Sequence, residues 1–548
     1  MPGLLLRTRV GRLLGATTLL LTADALSPPF HASAATVQWQ AHDDRPIAEP
    51  AVDESGDHLV RDGVWSMTTY QLHKILPAVG RVLHVVERPE AANVNALDEV
   101  PDSTWFTNRH ARRPMSPAAL ARGPSDPRHA PAADGPLSVL SAKAIGMTAG
   151  FVIQDRKGDR YVVKLDPPDY PEVPTGAEMV CTKIVYALGW NVPENYLVPL
   201  DPERLTVAPG ATLTDPELQR LLQGAARGPD GRLRVVASRW LPGKMKGGFR
   251  TMGRRSDDPD DRVPHEDRRE LRGLRVVAAW INYTDARRGN FLDAFVPDDE
   301  AEDGRGHLVH YLLDFSSALG AGNDDWKPPR YGHEYFFDPA HLLWRVATLG
   351  LVTPAWGNLP LAHPALGYFD ATAFDPEAWR TTYPNPLFDA ATVRDGFWGA
   401  KLVSAFSTAD LAVVARAGEW SDPRAAVILA ERLRERQRRI AGVYFDWHRI
   451  APLDDFGLDE RDRLRFRDLA VENGVAARDD ARYRRRLSPG AWEATTPGAA
   501  LPVGANPVVV ELAVSHDRGV SWSPPVRVGF DFDWTGTRVT SVVERTTR

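Results

Sequence analysis

The most informative stretch of this sequence reads Trp280-Ile-Asn-Tyr-Thr-Asp285-Ala-Arg-Arg-Gly-Asn290, and Leu312-Leu-Asp314-Phe315-Ser316 follows it. The two aspartates and the asparagine supply one general base and two hard oxygen ligands. A Mg²⁺-dependent phosphoryl transfer site needs such groups, because the reaction depends on positioning and charge neutralisation. The offset of five residues lets Asp285 face a nucleophile while Asn290 faces a metal ion. The apolar residues before Asp314 predict a strand that holds the second ligand rigidly.

Upstream of this stretch, the pattern predicts a small unit dominated by strands. Arg160-Tyr-Val-Val-Lys164-Leu165 is β-branched and carries one lysine, and residues 176–188 have helical spacing, carry Glu178 and end at Gly189. The predicted strands of this unit are residues 149–155, 161–165, 195–200 and 233–240. Residues 137–240 are therefore expected to form a small lobe with one important helix.

Helical patterns dominate after residue 240. Amphipathic spacing predicts four helices, at residues 268–283, 390–403, 423–445 and 459–473. The last forty residues return to strands, at 508–514 and 526–530. Between these two strands, Ser515-His-Asp517-Arg-Gly519 looks like the Asp-box turn of sialidase-type propellers. A propeller would need several copies at a regular period, so the single copy predicts a structural hairpin.

The order of these motifs resembles the two-lobed protein-kinase-like superfamily, especially its atypical bacterial branch around HipA-like and lipid-kinase-like enzymes. The resemblance covers about residues 137–340 and rests on short motifs. It implies an α+β, two-lobed kinase-like fold with a small β-rich lobe, one key helix and a larger helical lobe. The predicted domains are a signal peptide at 1–34, an irregular N-terminal extension at 35–136, the N-lobe at 137–240, the helical C-lobe at 241–450 and a C-terminal helix and β-hairpin module at 451–548.

The resemblance also implies a nucleotide site. Gly146-Met-Thr-Ala-Gly150 would be the turn over the phosphates of ATP, since glycines permit close backbone approach to anionic oxygens. Lys164 would contact the α- and β-phosphates and form an ion pair with Glu178. Residues 233–243 would run from the last strand of the small lobe into a hinge beside the adenine.

The remaining implied roles concern catalysis and the metal ion. Asp285 would accept the proton of the attacking hydroxyl group, and Asn290 and Asp314 would hold Mg²⁺ or Mn²⁺. The expected activity is transfer of the γ-phosphate of ATP to an unidentified hydroxyl acceptor. The partners expected on this basis are the nucleotide and that acceptor.

Several residues depart from the usual kinase motifs. Tyr283 stands where protein kinases carry histidine, Asp-Phe-Ser at 314–316 replaces Asp-Phe-Gly, and no Ala-Pro-Glu segment follows. These departures suit an atypical member. Two other functions stay open, namely an exported kinase-fold protein without catalysis that binds or has a structural role, and, more weakly, a carbohydrate-active enzyme that uses paired carboxylates.

The composition and length of the chain limit the classes of protein to which it can belong. The 548 residues are 43% apolar and 25% charged, with a net charge of −6, which argues against a nucleic-acid partner because a phosphate-binding surface usually brings a basic bias. Length predicts two or three domains. Cys181 is the single cysteine, so no intrachain disulfide can form.

The N-terminus predicts export. Arg7, Arg9 and Arg12 precede an apolar run at 13–21, and Ala32-Ser-Ala34 offers a cleavage point, as in a secretory signal peptide. The alternative is a misassigned start and a cytoplasmic protein. No later segment has about eighteen uninterrupted apolar residues, so no transmembrane segment is expected in the mature chain.

Three further segments carry local predictions. The basic cluster that includes Arg269 and Arg272 predicts a solvated helix face. Residues 331–337 (Tyr-Gly-His-Glu-Tyr-Phe-Phe) predict an aromatic core segment in preference to a substrate cleft. Residues 67–82 predict an isolated helix within the irregular extension.

Overall fold

The computed structural model of the protein describes residues 37–53, 88–143, 149–299, 302–487, 490–501, 508–532 and 538–548. Over these ranges the chain is a mixed α+β structure with ten α-helices and sixteen strands in four sheets. The predicted signal peptide, the predicted helix at 67–82 and Gly146 lie outside the described residues. The domain boundaries stay predictions.

A six-stranded sheet forms the first unit. Its strands are β1 (Leu137–Ala142), β2 (Gly150–Gln154), β3 (Arg160–Leu165), β4 (Asn195–Leu200), β5 (Leu205–Val207) and β6 (Leu233–Arg239), in the order β4-β6-β3-β2-β1-β5. All neighbours are antiparallel except β1 and β5, which are parallel. The four strands predicted from alternation and β-branched composition are all present.

The two faces of this sheet have different neighbours. Side chains such as Phe151, Tyr161 and Val163 form a separate core on one face, and helix α3 (Asp215–Gln223) adds Leu218 to it. Lys164 points to the other face, because side chains alternate along a strand. Helix α2 (Val173–Leu188), which carries Glu178, packs on that second side and ends at Gly189, whose φ is 131°.

The helices build the largest core. They are α1 (Pro117–Arg122), α2, α4 (Arg269–Trp280), α6 (Pro386–Asp389), α7 (Val393–Ser404), α8 (Thr408–Arg416), α9 (Pro423–Tyr444) and α10 (Leu469–Glu472). Helix α5 (Pro339–Ala347) contributes none of its described side chains to this core. Ile184 of α2, Leu274 of α4 and Leu429 of α9 belong to one buried cluster. The N-terminal extension adds Trp105 and Phe106 to it, so this segment is packed although most of its described residues are irregular.

A three-stranded sheet combines one strand from before helix α4 with two strands from after it. Its strands are β7 (Lys244–Met245), β8 (Phe291–Pro297) and β9 (Gly306–Leu312), in the order β7-β8-β9. The hairpin of β8 and β9 pairs Phe291 with Leu312, which places the start of β8 beside the end of β9. Consequently the loop before β8, which holds Asp285 and Asn290, lies next to Asp314.

The C-terminal part is built from strands. They are β10 (Leu453–Leu458), β11 (Leu464–Asp468), β12 (Arg482–Leu487), β13 (Glu493–Thr495), β14 (Val508–Ser515), β15 (Val526–Phe532) and β16 (Arg538–Arg545). Strands β10 and β11 pair with each other, and the other five form a sheet in the order β13-β12-β14-β15-β16. The Asp-box turn joins β14 to β15, and Asp517 accepts hydrogen bonds from Ser515 and Ser521, as predicted for a structural hairpin.

The predicted helix at 459–473 is wrong. Residues 464–468 form β11 instead, and only Leu469–Glu472 are helical. Within β11 the side chains of Leu464, Phe466 and Asp468 are buried while the arginines between them are exposed. This alternation has the period of a strand, and pairing with β10 outweighs the helical propensity of Leu and Arg.

The predicted solvated face of helix α4 is also wrong. Arg269 and Arg272 are each 1% exposed, and both contact Asp395 at the start of helix α7, at 3.1 Å and 3.4 Å. These arginines therefore join two helices inside the protein. Ion pairing with a carboxylate far along the chain explains why a basic cluster could be buried.

Asp98 connects three parts of the chain through its buried carboxylate. It lies 2.6 Å from Arg269 of α4, 2.6 Å from Arg394 of α7 and 3.4 Å from Arg545 of β16. Burial alone would raise the pKa of Asp98, but these three guanidinium groups outweigh it and lower the pKa to about 2. The carboxylate thus ties the N-terminal extension to the helical core and to the C-terminal sheet.

Among the described residues, no single helix has the length and apolar character needed to cross a membrane. Helices α7 and α8 reach that length and composition only when taken together, and the chain bends by 76° between them.

The contacts of Asp98 lead to a stability prediction. Asp98→Asn should lower the free energy of unfolding by about 3–5 kcal/mol at neutral pH, because it leaves buried arginines without a counter-charge. A carboxyl group with a lowered pKa stabilises the fold above its unfolded pKa, so this contribution should disappear as the pH falls from about 4 to about 2. Urea unfolding across that range measures both effects.

Asp230→Asn is the matched control, because the Asp230 side chain is 60% exposed and its nearest arginine is 3.8 Å away. This variant should change the free energy of unfolding by less than about 1 kcal/mol. Equal acid sensitivity of wild type and Asp98→Asn would contradict the role given to Asp98.

Candidate functional site

A buried lysine between two carboxylates forms the centre of the site. The Nζ of Lys164 lies 2.9 Å from Oε2 of Glu178 and donates a hydrogen bond of 3.0 Å to Oδ1 of Asp314. Lys164 comes from strand β3, Glu178 from helix α2, and Asp314 from the chain just after β9. Three predicted site residues, up to 150 positions apart, therefore meet at one point.

Strand β3 also positions the helix that carries Glu178. The carboxylate of Asp166, two residues after Lys164, accepts hydrogen bonds from the backbone N–H groups of Glu172 and Thr175 and from the Thr175 hydroxyl. These N–H groups belong to the start of α2, where free donors need a partner. The strand thus fixes both members of the ion pair, and Asn195 completes it by donating to Oε1 of Glu178 at 3.0 Å.

Burial and the neighbouring charges have opposite effects on the pKa values of Lys164 and Asp314. Burial alone would lower the pKa of Lys164, but the carboxylates of Asp314 and Glu178 outweigh it and raise the pKa above its usual value. Burial alone would raise the pKa of Asp314, and the ammonium groups of Lys164 and Lys143 instead hold it well below its usual range. Lys164 is therefore a cation and Asp314 an anion at any physiological pH.

Asp314 has a constrained backbone and additional partners. Its φ is 56°, in the left-handed region that few residues other than glycine adopt. The Ser316 hydroxyl donates to Oδ1 at 2.5 Å, and Nζ of Lys143 lies 3.7 Å from Oδ2. Ser316 thus orients the Asp314 carboxylate.

The second half of the site is the loop between helix α4 and strand β8. Oδ1 of Asp285 accepts a hydrogen bond from Nε of Arg287 at 2.8 Å, and Oδ2 accepts one from Nδ2 of Asn290 at 2.9 Å. Asn290 also donates to the backbone carbonyl of Asp285 at 2.8 Å, and it lies in a 3₁₀ turn, Arg288–Asn290. The Asp285 carboxylate is oriented by both partners yet remains 28% exposed, so a substrate could reach it.

Backbone contacts join the two halves of the site. The N–H of Leu313 donates to the carbonyl of Asn290 at 2.8 Å, which places the neighbour of Asp314 against the loop. The hydroxyl of Tyr283 donates to the Leu313 carbonyl at 2.8 Å, and its ring is fully buried. Tyr283 therefore holds the loop to the segment that carries Asp314.

Lys327 is a site residue that the sequence did not reveal. Its ammonium group donates to the hydroxyl of Thr284 and to the carbonyl of Ser317, both at 2.8 Å, next to Asp285 and Asp314 respectively. Burial lowers its pKa to about 8, and the two aspartates counteract only part of this effect. No motif or spacing marks this lysine, which lies in a loop of Trp, Lys and Pro.

Lys143 is a second missed residue. It follows strand β1, and its side chain is 10% exposed beside Asp314. Burial lowers its pKa, while Asp314 opposes that shift. Its position directly before the glycine turn was the only signal that could have pointed to it.

The predicted phosphate turn is described only at its end. Gly150 begins strand β2, and a Cβ atom there would come within 2.2 Å of the Val163 carbonyl oxygen. A side chain cannot fit so close to the backbone, so sheet packing alone requires glycine at this position. Whether Gly150 also contacts phosphate stays a prediction.

Apolar side chains lie beside Lys164 on the same face of the sheet. The registers pair Val152 with Val162 and Lys164 with Val236, and directly paired residues share a face. The segment that follows β6, the predicted hinge, borders a cavity of about 300 Å³ lined in part by Trp240 and Tyr311. Val152 and Val236 are buried and Val162 is partly exposed, so a flat apolar ring could rest only on Val162, and none of the three valines lines this cavity.

Two predicted metal ligands are compatible with Mg²⁺ by donor type. Asp314 offers a carboxylate, and the amide oxygen of Asn290 is available because its Nδ2 donates to Asp285. Within the described ranges, no three His, Cys, Asp or Glu side chains converge in a way that would hold a metal ion alone. Mg²⁺ commonly takes one or two protein oxygens and completes its shell with phosphate and water, so this donor set fits a Mg²⁺–nucleotide pair.

The cluster leads to a stability prediction that does not depend on function. Lys164→Met should lower the free energy of unfolding by about 3–5 kcal/mol at neutral pH, because the buried carboxylate of Glu178 and the partly buried carboxylate of Asp314 lose their shared counter-charge. The loss should shrink in acid, where the carboxylates can take up protons. The measurement is urea unfolding at neutral and at acidic pH.

Lys244→Met is the matched control, since the Lys244 side chain is 61% exposed and its partner Glu49 also contacts Lys246. The control should cost less than about 1 kcal/mol. Equal free energies of unfolding for Lys164→Met and Lys244→Met would contradict the buried ion pair described for Lys164.

Searches against known protein families, curated proteins and solved structures found no match for this chain. Its function is therefore inferred from the chemistry of its own residues.

Proposed function

We propose that this protein is a kinase-like phosphotransferase that moves the γ-phosphate of ATP to a hydroxyl acceptor with the help of Mg²⁺ or Mn²⁺. The observation that carries the proposal is the position of Lys164 between Glu178 and Asp314, next to the loop of Asp285 and Asn290. A buried ion pair between a strand lysine and a helix glutamate, beside a metal-binding aspartate, is the arrangement that positions ATP in protein kinases.

Different residues would bind the phosphates, the adenine ring and the metal ion. Lys164 would neutralise the α- and β-phosphates, and Glu178 would hold its side chain in place. Val162 would provide apolar surface for the adenine ring, with the buried Val152 and Val236 beside it on the same face of the sheet. Asp314 and Asn290 would hold the metal ion, which supplies positive charge to the β- and γ-phosphate oxygens.

Asp285 would act on the acceptor. A bond forms between the acceptor oxygen and the γ-phosphorus, and the bond from that phosphorus to the β–γ bridging oxygen breaks to release ADP. The hydroxyl proton passes to Asp285, whose exposed carboxylate is oriented by Arg287 and Asn290.

Lys327 would add a positive charge between the two aspartates. Its ammonium group is held by Thr284 and Ser317, beside both the base and the metal ligand. In a region of low dielectric, such a charge stabilises the negative charge of a transferring phosphoryl group more strongly than in water. The lowered pKa means that this charge depends on pH near the physiological range.

A kinase-fold protein without catalysis is the second candidate. The observation that favours it is that ammonium groups already approach both oxygens of Asp314, with Lys164 at 3.0 Å and Lys143 at 3.7 Å. A metal ion would have to compete with these lysines. Export by the N-terminal leader remains part of the proposal, and it favours this candidate because ATP is scarce outside the bacterial cytoplasm.

Nucleotide binding tests the proposal first. ATP with Mg²⁺ or Mn²⁺ at about 100 times its Kd should add about 2.7 kcal/mol of stability and raise the melting temperature by a few degrees. Asp314→Asn should lose the metal-dependent part of this shift, and Asp324→Asn, an exposed neighbour, should keep it. Asp285→Asn should lower ADP formation with hydroxyl acceptors by about 10²–10⁴.

The outcomes separate the candidates. A shift without turnover would favour the binding protein. The absence of any shift would overturn the phosphotransferase and favour the kinase-fold protein without catalysis, in which lysines already occupy Asp314. Turnover that survives in both aspartate variants would overturn the catalytic assignment.

The pKa of Lys327 predicts a pH dependence. Turnover (kcat/KM) should fall as the pH rises through about 8, because Lys327 then loses its proton. Lys327→Arg should move this fall to higher pH, since a guanidinium keeps its charge. Lys183 also has a pKa lowered to about 8 by burial but binds the Arg122 carbonyl, so Lys183→Arg should leave the profile unchanged. An identical profile for Lys327→Arg and wild type would remove Lys327 from the mechanism.

A further inference from the structure

An exposed apolar surface lies on residues 336–352, which we call the apolar ridge. Of the sixteen large apolar side chains that are exposed among the described residues, eight belong to this segment of seventeen. Leu343 is 69% exposed, Leu349 82% and Leu351 83%. The prediction of an aromatic core at 331–337 is wrong for Phe336 and Phe337, which are about half exposed. Such a concentration marks an interaction surface.

The apolar ridge has one side that is exposed and another that is partly buried. Helix α5 begins at the cap of Asp338, and the His341 ring lies 5.4 Å from Trp356, which stacks in turn on His333. After the helix, the N–H of Gly350 donates to the Arg345 carbonyl, so the chain that carries Leu349 and Leu351 folds back beside α5. His341, Trp344 and Thr348 are partly buried, whereas the apolar side chains between and after them are exposed.

The polar groups of the ridge are mostly used within it. Asp338 accepts from the N–H of His341, His341 contacts Glu334 at 3.1 Å, and the Thr348 hydroxyl donates to the Trp344 carbonyl. A protein partner usually gains specificity through directional polar contacts at the rim of the interface. The ridge has few polar groups left for such contacts, so the surface suits an occupant that forms no directional polar contacts.

The shape of the ridge favours a fluid hydrocarbon occupant. Leu342 and Leu343 are consecutive on α5 and both are exposed, and so is Val346. Consecutive residues point about 100° apart on a helix, since a turn takes 3.6 residues, so a protein groove that receives one stripe would leave part of this surface in water. Acyl chains can surround a convex surface on several sides.

The exposed charges at the border complement an anionic surface. The Arg330 guanidinium lies 5.7 Å from the Phe336 ring and its side chain is 39% exposed, and Arg345 on α5 is exposed. The nearby acid Glu334 is 11% exposed and is paired with Arg330 and His341. Apolar and aromatic side chains bordered by arginine are typical of segments that lie in the interface of anionic lipid bilayers.

We propose that the apolar ridge docks this protein onto an anionic lipid bilayer. The docking would also orient the candidate site. The N–H of Phe336 donates to the Thr382 carbonyl at 2.7 Å, and the N–H of Thr382 donates to the carbonyl of Thr284 at 2.8 Å, directly before Asp285. The loop of Asp285 therefore lies at the edge of the docked surface. This inference does not rest on the proposed phosphotransferase activity.

Co-sedimentation of the full chain with vesicles, without nucleotide, tests the proposal. The wild type should bind phosphatidylcholine vesicles that contain phosphatidylglycerol more tightly than vesicles of phosphatidylcholine alone. Leu343→Ser/Leu349→Ser should weaken binding by about tenfold or more, because both side chains are exposed in water and buried in lipid. Val427→Ser/Val520→Ser, at exposed positions outside the ridge, should bind like wild type.

Further variants separate the contribution of the apolar side chains to vesicle binding from that of the arginines. Any N-terminal leader is common to all these proteins, so the difference between the two double variants reports the ridge alone. Arg330→Gln/Arg345→Gln should reduce the preference for the anionic vesicles. Because the changed leucines are exposed, melting temperatures equal to wild type are expected and check that each variant is folded.

Two results would overturn the proposal. The first is wild-type binding that is absent, or equal in the ridge variant and wild type. The second is self-association in solution that is lost in Leu343→Ser/Leu349→Ser while no protein binds vesicles, which would make the ridge an interface between copies of this chain.

Discussion

The buried ammonium group of Lys164 is the constraint on which the rest of the site depends. A charge removed from water is costly unless opposite charges and hydrogen bonds surround it, so the fold must bring carboxylates to this point. Glu178 arrives on a helix that Asp166 fixes to the same strand, and Asp314 arrives at the end of a hairpin. Once Asp314 is held there, the N–H of its neighbour Leu313 donates to the carbonyl of Asn290, which fixes the loop of Asp285 beside it. One buried cation thus links the small sheet, helix α2 and the segment after β9.

The same principle applies to a buried anion, whose charge must be balanced by cations. Asp98 is a buried anion that contacts arginines from helix α4, helix α7 and strand β16. Asp395 contacts two arginines of α4, one of which it shares with Asp98. Such pairs add little net stability over apolar contacts, but the loss of one partner is expensive. They therefore specify which segments meet. This explains how an irregular N-terminal extension can be part of the core without regular secondary structure of its own.

The candidate site and the apolar ridge meet at the loop of Asp285. The charges cluster around the buried Lys164, whereas the ridge leaves apolar side chains in water close in space to the loop of Asp285. The hydrogen bonds from Phe336 to Thr382 and from Thr382 to Thr284 connect the two surfaces. Hydrocarbon exposed to water costs free energy, so a bound surface that covers the ridge would be favoured by the hydrophobic effect. A bilayer there would place the exposed carboxylate of Asp285 close to the lipid head groups.

The sequence by itself determined the type and order of most elements, because the spacing of apolar side chains along a strand or helix is a local property. It also singled out Lys164, Glu178, Asp285, Asn290 and Asp314, since the spacing of these residue types is typical of phosphoryl-transfer chemistry. Only the tertiary structure decided which charges are buried and paired, because Lys164 and Asp314 lie 150 positions apart and no local pattern records such a contact. For the same reason, the buried arginines of α4, the two additional lysines and the exposed ridge were missed: the surroundings of a side chain depend on residues far away in the chain. The strand at 464–468 was read as a helix because pairing with a neighbour, which the sequence does not show, outweighed local propensity.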